Sequence, residues 1–107
     1  PPRPLSDLMF VPVVAIFPAK PGTEEIVEGL FKGVIETTLK EKGCVVYQLN
    51  KDSENPRRFI WTEEWASAED LEVHLAAPHI QTLFAALPQY IESSEVLKLA
   101  PVAGGKA

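Results

Sequence analysis

The sequence lacks the residues on which covalent and metal-based scaffolds depend. Among its 107 residues, Cys44 is the single cysteine. One cysteine cannot form an intramolecular disulfide, so a disulfide scaffold is excluded, and a cysteine-rich zinc site is excluded with it. This pattern is typical of a reducing compartment, and we predict a cytoplasmic protein.

Basic residues and long apolar runs are also scarce. Ten Lys and Arg stand against fifteen Asp and Glu, giving a net charge of -5, which argues against affinity gained by neutralising phosphates. The longest apolar run, residues 8–17, is interrupted by Pro12 and is shorter than the roughly 20 residues of a membrane-spanning helix. The first residues also lack the pattern of a secretory signal peptide. We therefore expect neither a nucleic-acid partner nor a membrane anchor.

What remains is ordinary for a globular protein. The chain is 46% hydrophobic and 23% charged, and its length suits one domain, since the commonest domains have about 100 to 150 residues. We predict one domain over residues 10–102, with an N-terminal tail at 1–9 and a C-terminal tail at 103–107. The motifs GxGxxG, GxxxxGK[ST], HExxH and GxSxG are absent, so the common nucleotide, zinc-protease and hydrolase sites are not indicated.

Hydrophobic periodicity predicts the order strand, helix, strand, strand, helix, strand. The first strand is predicted at 10–17, and the first helix begins after its cap Thr23 and runs to 39, before Gly43. Two strands follow at 45–50 and 58–65. The second helix begins after its cap Ser67 and is interrupted by Pro78, which starts a new helical segment at 78–87, and the last strand is predicted at 95–102. Gly29 and Gly33 lie within the first helix, where we attribute them to close backbone packing. Phe84 is predicted to point inward.

This order predicts a ferredoxin-like α+β fold, a split βαβ sandwich in which helices cover one face of a four-stranded antiparallel sheet. Every predicted strand carries apolar side chains on both sides. Because a monomer rarely leaves so large an apolar patch in water, we expect a homodimer that forms through the uncovered sheet face.

His74 and His79 are the only histidines. A continuous helix would hold them about 140° apart, which is poor geometry for a shared ion, so we predict no metal site, although a break at Pro78 could turn both towards one cavity. The simpler interpretation is that each caps a helix end or binds the backbone. The functional one is that His74 is a general base, since an ordinary histidine pKa of about 6.5 suits proton abstraction at neutral pH.

Glu63 shares a strand face with aromatic side chains. A carboxylate in such surroundings either finds a partner or has a pKa raised by desolvation. We predict that Glu63 lies near His74, either as its hydrogen-bond partner or as a direct participant in chemistry. The aromatic residues are either ordinary core or the walls of a cavity for a flat aromatic ligand: Tyr47, Trp61, Trp65 and Phe84.

Four segments carry a more specific pattern: KPGTEE (20–25), KEKGCVVYQL (40–49), RFIWTEEW (58–65) and HLAAPHI (74–80). In order and spacing they resemble the antibiotic biosynthesis monooxygenase family, including the YgiN-like quinol monooxygenases, over about residues 11–102. The matching positions are Glu41, Gly43, Cys44, Tyr47, Glu63, Trp65, His74 and His79. Ala77 departs from the Ser or Thr common in the family, which puts in doubt any substrate hydrogen bond made by that hydroxyl.

The resemblance implies a ferredoxin-like protomer that forms a dimeric α/β barrel. It also implies a monooxygenase that uses no metal, flavin or other cofactor, in which the anion of a quinol or a phenolic, polyketide-like substrate reacts directly with oxygen. His74 would be the base and Glu63 its orienting partner. The substrate would contact Tyr47, Trp61, Trp65, His79 and Phe84.

Three other functions are weighed. Haem degradation is not expected, because Phe84 aligns with the iron-ligating histidine of that branch. An isomerase of a small hydroxy-ketone would use the same base, and Lys51, Arg57 or Arg58 could hold a phosphate group if they are not merely solvated turn charges. A non-catalytic dimer that binds a small molecule is the third alternative.

Overall fold

Residues 10–105 are described in the structure, which is a computed structural model. They form β1 (Val11–Pro18), α1 (Glu24–Lys32), α2 (Ile35–Leu39), β2 (Cys44–Asp52), β3 (Asn55–Trp65), α3 (Ala68–Ala76), α4 (Pro78–Ala86), a 3₁₀ turn (Leu87–Gln89) and β4 (Glu95–Lys98). The predicted N-terminal tail and residues 106–107 of the predicted C-terminal tail lie outside the described residues. No helix between residues 10 and 105 is long and apolar enough to cross a membrane.

The four strands form one sheet in the order β2-β3-β1-β4, and every neighbouring pair is antiparallel. In β1, the buried side chains of Val13, Ala15 and Phe17 alternate with partly exposed ones, because successive side chains of a strand point to opposite faces. The buried face packs against the helices. The predicted ferredoxin-like α+β fold is therefore confirmed.

An aromatic cluster lies at the centre of the core. Phe31 of α1 is fully buried, and its ring centroid lies 5.1 Å from Phe17, 5.8 Å from Phe59 and 5.5 Å from Trp61. Tilted and edge-on contacts of this kind add to the stabilisation that burial provides. They fix α1 on the sheet and so determine where the chain enters α2.

The first helix differs from its prediction. A single helix was expected to residue 39, but the chain breaks after α1 and resumes as α2. At the break, the Val34 amide donates to the Phe31 carbonyl at 3.3 Å rather than to residue 30, and Gly33, which has low helix propensity, precedes it. The break redirects the chain so that Thr38 of α2 is completely buried.

Thr23 does not cap α1 with its side chain, which is a second correction. Its hydroxyl instead lies 2.8 Å from the carbonyl oxygens of both Lys20 and Tyr90. Ser67 does cap α3 as predicted, since its Oγ accepts from the Asp70 amide at 3.1 Å. The contact between the Thr23 hydroxyl and the Tyr90 carbonyl joins the loop before α1 to the C-terminal segment, so a tertiary hydrogen bond replaces local capping.

The glycines have different surroundings. A Cβ added to Gly29 would meet no atom within 4 Å, so the close packing predicted there is wrong. A Cβ on Gly33 would meet the Leu30 carbonyl oxygen at 3.4 Å. The helical segment ends at Leu39, the predicted residue, and a Cβ on Gly43 would collide with Asp70 at the start of α3.

The second helical layer breaks at Pro78 as predicted, giving α3 and α4. Proline suits the first turn of α4, where its missing amide hydrogen costs nothing. Phe84 was predicted to point inward, but it is 37% exposed, and its neighbour Leu83 is buried instead. The last strand, β4, is shorter than the predicted segment 95–102.

The outer face of the sheet carries apolar side chains on every strand. Val14, Ile16 and Ile60 are only partly buried there, and Ile16 and Ile60 lie opposite each other in register. Val46 and Leu97 are 42% and 39% exposed. The two-sided apolar character predicted for the strands is therefore present.

Candidate active site

A narrow cleft opens between the inner face of the sheet and helices α3 and α4. Its volume is about 390 Å³, including its open mouth, and most of its lining is apolar. Five of the seven predicted site residues line it: Tyr47, Trp61, Glu63, His74 and Phe84. The cleft therefore combines an aromatic wall with a histidine and a carboxyl group.

His74 is the most buried polar group of the cleft, with only 3% of the residue exposed. Its Nδ1 donates a hydrogen bond of 2.7 Å to Oε2 of Glu41, because a carboxylate can only accept. Burial lowers the pKa of His74, and the interaction with Glu41 opposes this shift. Within the described part of the chain, no hydrogen bond reaches the other ring nitrogen, Nε2, which is left with an available lone pair.

Glu41 also faces the second histidine. Nε2 of His79 lies 3.5 Å from the same oxygen, Oε2, and 2.9 Å from Oγ1 of Thr38. A polar network therefore runs from Thr38 through His79 to Glu41 and His74.

Glu63 has a different partner. Its Oε1 accepts a hydrogen bond of 2.9 Å from Nε1 of Trp65, two residues along β3. Burial raises the pKa of Glu63 to about 7, against the lowering effect of the Trp65 bond and with a small further rise from Glu41. A carboxyl group of this kind exchanges a proton near neutral pH.

The aromatic wall is held by ring contacts. Tyr47 and Trp61 stack with centroids 4.3 Å apart, and Trp65 lies 4.4 Å from the His74 ring. Burial and the charge of Glu63 raise the pKa of Tyr47 far above its ordinary range, so Tyr47 is a neutral hydroxyl at physiological pH. The wall is thus flat, rigid and uncharged, which suits an aromatic ligand.

Several site predictions are corrected by this geometry. The partner of His74 Nδ1 is Glu41 and not Glu63. Trp65 lies behind His74 rather than in the cleft lining, and His79 lines a separate groove beside Gly29 and Gly33. The two histidines would diverge on a continuous helix, but the predicted break at Pro78 turns both towards Glu41, because Ala77 between the two helices has an extended backbone.

Glu41 and Thr38 were missed as members of the site. Glu41 stands at the acidic position of the turn before β2, which the resemblance already marked, although nothing local to it indicates a histidine 33 residues away. Thr38 interrupts an apolar helix face with a hydroxyl. A polar residue in such a position is buried only where it finds a partner, and this is the signal that could have found it.

Comparison with known proteins agrees with this architecture. A solved structure of a conserved protein from Methanosarcina mazei Go1 is similar, with 29% identity, coverage of 88% of this chain and 94% of that chain, and a TM-score of 0.83. A protein from Shewanella oneidensis has 29% identity, coverage of 86% of this chain and 90% of that chain, and a TM-score of 0.83. An antibiotic biosynthesis monooxygenase has 28% identity, coverage of 87% of this chain and 99% of that chain, and a TM-score of 0.81.

No functionally curated protein matches the chain. The sequence profile of the antibiotic biosynthesis monooxygenase family, by contrast, matches residues 9–86. That range contains the cleft wall, both histidines and Glu41. The chain belongs to the antibiotic biosynthesis monooxygenase family.

Proposed function

We propose that the protein is a cofactor-independent monooxygenase that oxidises a quinol or a related phenolic, polyketide-like substrate with molecular oxygen. The observation that carries this proposal is the hydrogen bond of 2.7 Å from His74 Nδ1 to Glu41 beside an apolar, aromatic-walled cleft. The pairing supports a neutral imidazole whose Nε2 is the basic atom, as in other carboxylate–histidine pairs.

The reaction balances without a cofactor. Nε2 of His74 removes the phenolic proton, and the electron-rich anion gives its electrons to oxygen and forms a carbon–oxygen bond. Breakdown of the resulting peroxide leaves one oxygen atom in the product and releases the other as water. The substrate supplies all the electrons, so the protein contributes proton transfer, an orientation and exclusion of water.

Glu63 is assigned the second proton transfer. Its pKa of about 7 lets it donate a proton to the departing peroxide oxygen and later recover one, which a fully ionised carboxylate could not do. The Trp65 bond holds the carboxyl group in place, and Tyr47, Trp61 and Phe84 are assigned as substrate contacts. His79 is assigned the role of holding Glu41, and Glu41 that of positioning His74.

The working unit of this proposal is a homodimer formed through the outer face of the sheet. Partly exposed apolar side chains on all four strands support it, since uncovered apolar patches commonly mark interfaces. We also propose that the protein belongs to the quinol-monooxygenase subgroup of the family.

The isomerase alternative is less well supported. A phosphorylated substrate would need free basic groups near the hairpin, but Lys51, Arg57 and Arg58 each form an ion pair, with Glu28, Glu92 and Asp52 respectively. These pairs leave no obvious phosphate site beside the hairpin.

Oxygen consumption tests the proposal. Metal-stripped protein is offered a panel of quinols and anthrones, and uptake is followed for the wild type, for His74→Ala and for Glu69→Gln, a control at an exposed position of α3. We expect uptake by the wild type and the control, with a rate at least about 100-fold lower in His74→Ala, because general base catalysis contributes on this scale.

Three outcomes would contradict the proposal. Undiminished uptake in His74→Ala would remove His74 as the base. Conversion of a hydroxy-ketone without oxygen uptake would identify the isomerase, and substrate binding with no turnover would identify the non-catalytic dimer.

A further inference from the structure

The carboxylate of Glu41 is partly buried and has no cationic side chain as a partner. Within residues 10–105, no Lys or Arg forms an ion pair with it, and the side chains that contact it as ion-pair partners are the two imidazoles. Its side chain is 15% exposed. A buried carboxylate is costly unless a positive charge or several hydrogen bonds compensate it, and neutral imidazoles supply no positive charge.

The three side chains converge on one point. His74 Nδ1 and His79 Nε2 both approach Oε2 of Glu41, at 2.7 Å and 3.5 Å, and the three atoms lie within 4.8 Å of one another. Ligand atoms bound about 2.1 Å from one ion lie about 3.0 to 3.4 Å apart. The two measured distances bracket this range, so small side-chain rotations suffice for the carboxylate and either imidazole.

Two nitrogen donors and one carboxylate oxygen favour a particular class of ion. Imidazole nitrogen suits zinc and neighbouring transition metals, whereas Mg²⁺ and Ca²⁺ prefer oxygen ligands. The cluster has one negative charge when both imidazoles are neutral, which attracts a divalent cation. Three protein ligands leave a further coordination position for water.

An ion has a route to the cluster that avoids the cleft. The His79 side chain is 21% exposed and lines the groove between α1 and α4, where Gly29 and Gly33 leave space. The cleft is lined by His74 but by neither Glu41 nor His79. An ion held by these three side chains would therefore lie outside the lining that a substrate in the cleft contacts.

We propose that Glu41, His74 and His79 bind a divalent transition-metal ion of the zinc class, and that this ion inhibits the enzyme. Without metal, the Nδ1 proton is donated to Glu41 and Nε2 accepts protons. A metal on Nδ1 displaces that proton, and a neutral metal-bound imidazole carries its remaining proton on Nε2. His74 then donates where it must accept, so the first proton transfer cannot occur. The inhibition rests on the proposed function, but binding of the ion does not.

The binding test uses Co²⁺ as a coloured substitute for Zn²⁺. Protein without a histidine tag is titrated with Co²⁺ and followed by visible absorption, and Zn²⁺ is then added as a competitor. We expect saturable binding of one ion per chain, displaced by Zn²⁺, and at least about tenfold weaker in Glu41→Gln and in His79→Gln. Glu36→Gln, an exposed position one turn from Glu41, is the matched control and should bind as the wild type does.

The chain makes the result easy to interpret because it holds only two histidines and one cysteine. A Cys44→Ser variant tests whether the single cysteine binds the ion. Thermal unfolding of each variant verifies that it folds. Binding that persists unchanged in Glu41→Gln and His79→Gln, or that disappears in Cys44→Ser, would overturn the site. So would an absence of binding at millimolar Co²⁺.

The inhibition is tested separately by oxygen uptake. Zn²⁺ should suppress the wild-type rate, a chelator should restore it, and any activity that remains in His79→Gln should be at least about tenfold less sensitive to Zn²⁺. Saturation with Zn²⁺ at an undiminished rate would overturn the inhibition while leaving the site intact. If no substrate in the panel consumes oxygen, the Co²⁺ titration still decides whether the site exists.

Discussion

Burial shifts the pKa values of Glu63 and His74 in opposite directions. Glu63 is kept from water by its aromatic neighbours, and its pKa rises from 4.5 to about 7 on folding. Between these pH values, the folded protein retains a proton that the unfolded chain has lost. Raising the pH across this interval therefore favours unfolding.

We predict that Glu63→Gln removes this pH dependence. A rise of this size corresponds to about 3 kcal/mol between the two protonation states, so the free energy of unfolding of the wild type should fall by up to about that amount from about pH 4.5 to above pH 7. Urea denaturation at several pH values, with a chelator present, measures it.

Comparison of the two proteins is needed because His74 has its own shifted pKa, of opposite effect on stability. Its lowered pKa makes the folded protein less stable in acid, and this contribution is shared by wild type and Glu63→Gln. Curves that run parallel for the two proteins would contradict the raised pKa of Glu63.

At the scale of elements, a glycine lowers the stability of helix α1. Gly29 is helical, and an added Cβ would meet no atom within 4 Å. Glycine in a helix interior costs about 1 kcal/mol relative to alanine. We predict that Gly29→Ala raises the free energy of unfolding by about 1 kcal/mol, which chemical denaturation would show.

Gly22→Ala is the informative comparison for that experiment. Gly22 has φ of 84°, a conformation that side chains with a Cβ disfavour, and the substitution should lower stability although space is open around it. A loss of stability in Gly29→Ala would mean that the groove beside α1 is filled in solution.

The elements also show how far sequence patterns reach. Strand alternation and the Ser67 and Pro78 signals are local, and they predicted the sheet, the cap of α3 and the start of α4. The break at Gly33 and the hydroxyl contacts of Thr23 depend on tertiary packing. Dependence on tertiary packing also limited the prediction of the site. His74 and Glu63 were identified as candidates by residue type, but the partner of His74 lies on a different segment that only the folded chain brings near.

At the scale of the whole molecule, the sheet has one covered face and one uncovered face. Ile16 lies at the centre of the uncovered face, on the strand between β3 and β4. We predict that Ile16→Lys converts a dimer into a monomer, because a buried charge at the centre of an apolar interface is strongly unfavourable. Analytical ultracentrifugation measures the mass.

Val73→Lys is the matched control, since Val73 is 65% exposed on the helical side and should leave the dimer intact. A wild-type protein that sediments as a monomer would contradict the proposed assembly. Dissociation by both substitutions would show that the interface is not confined to the sheet.

The chain has two tryptophans, and both contact residues of the site. Trp61 lines the cleft against Tyr47, and Trp65 lies against His74 while its indole nitrogen binds Glu63. Indole emission responds to local polarity and to neighbouring proton donors and metal ions. The tryptophan fluorescence of this protein therefore originates entirely at the site, so that the arrival of a ligand, a proton or an ion becomes an optical signal that needs no label.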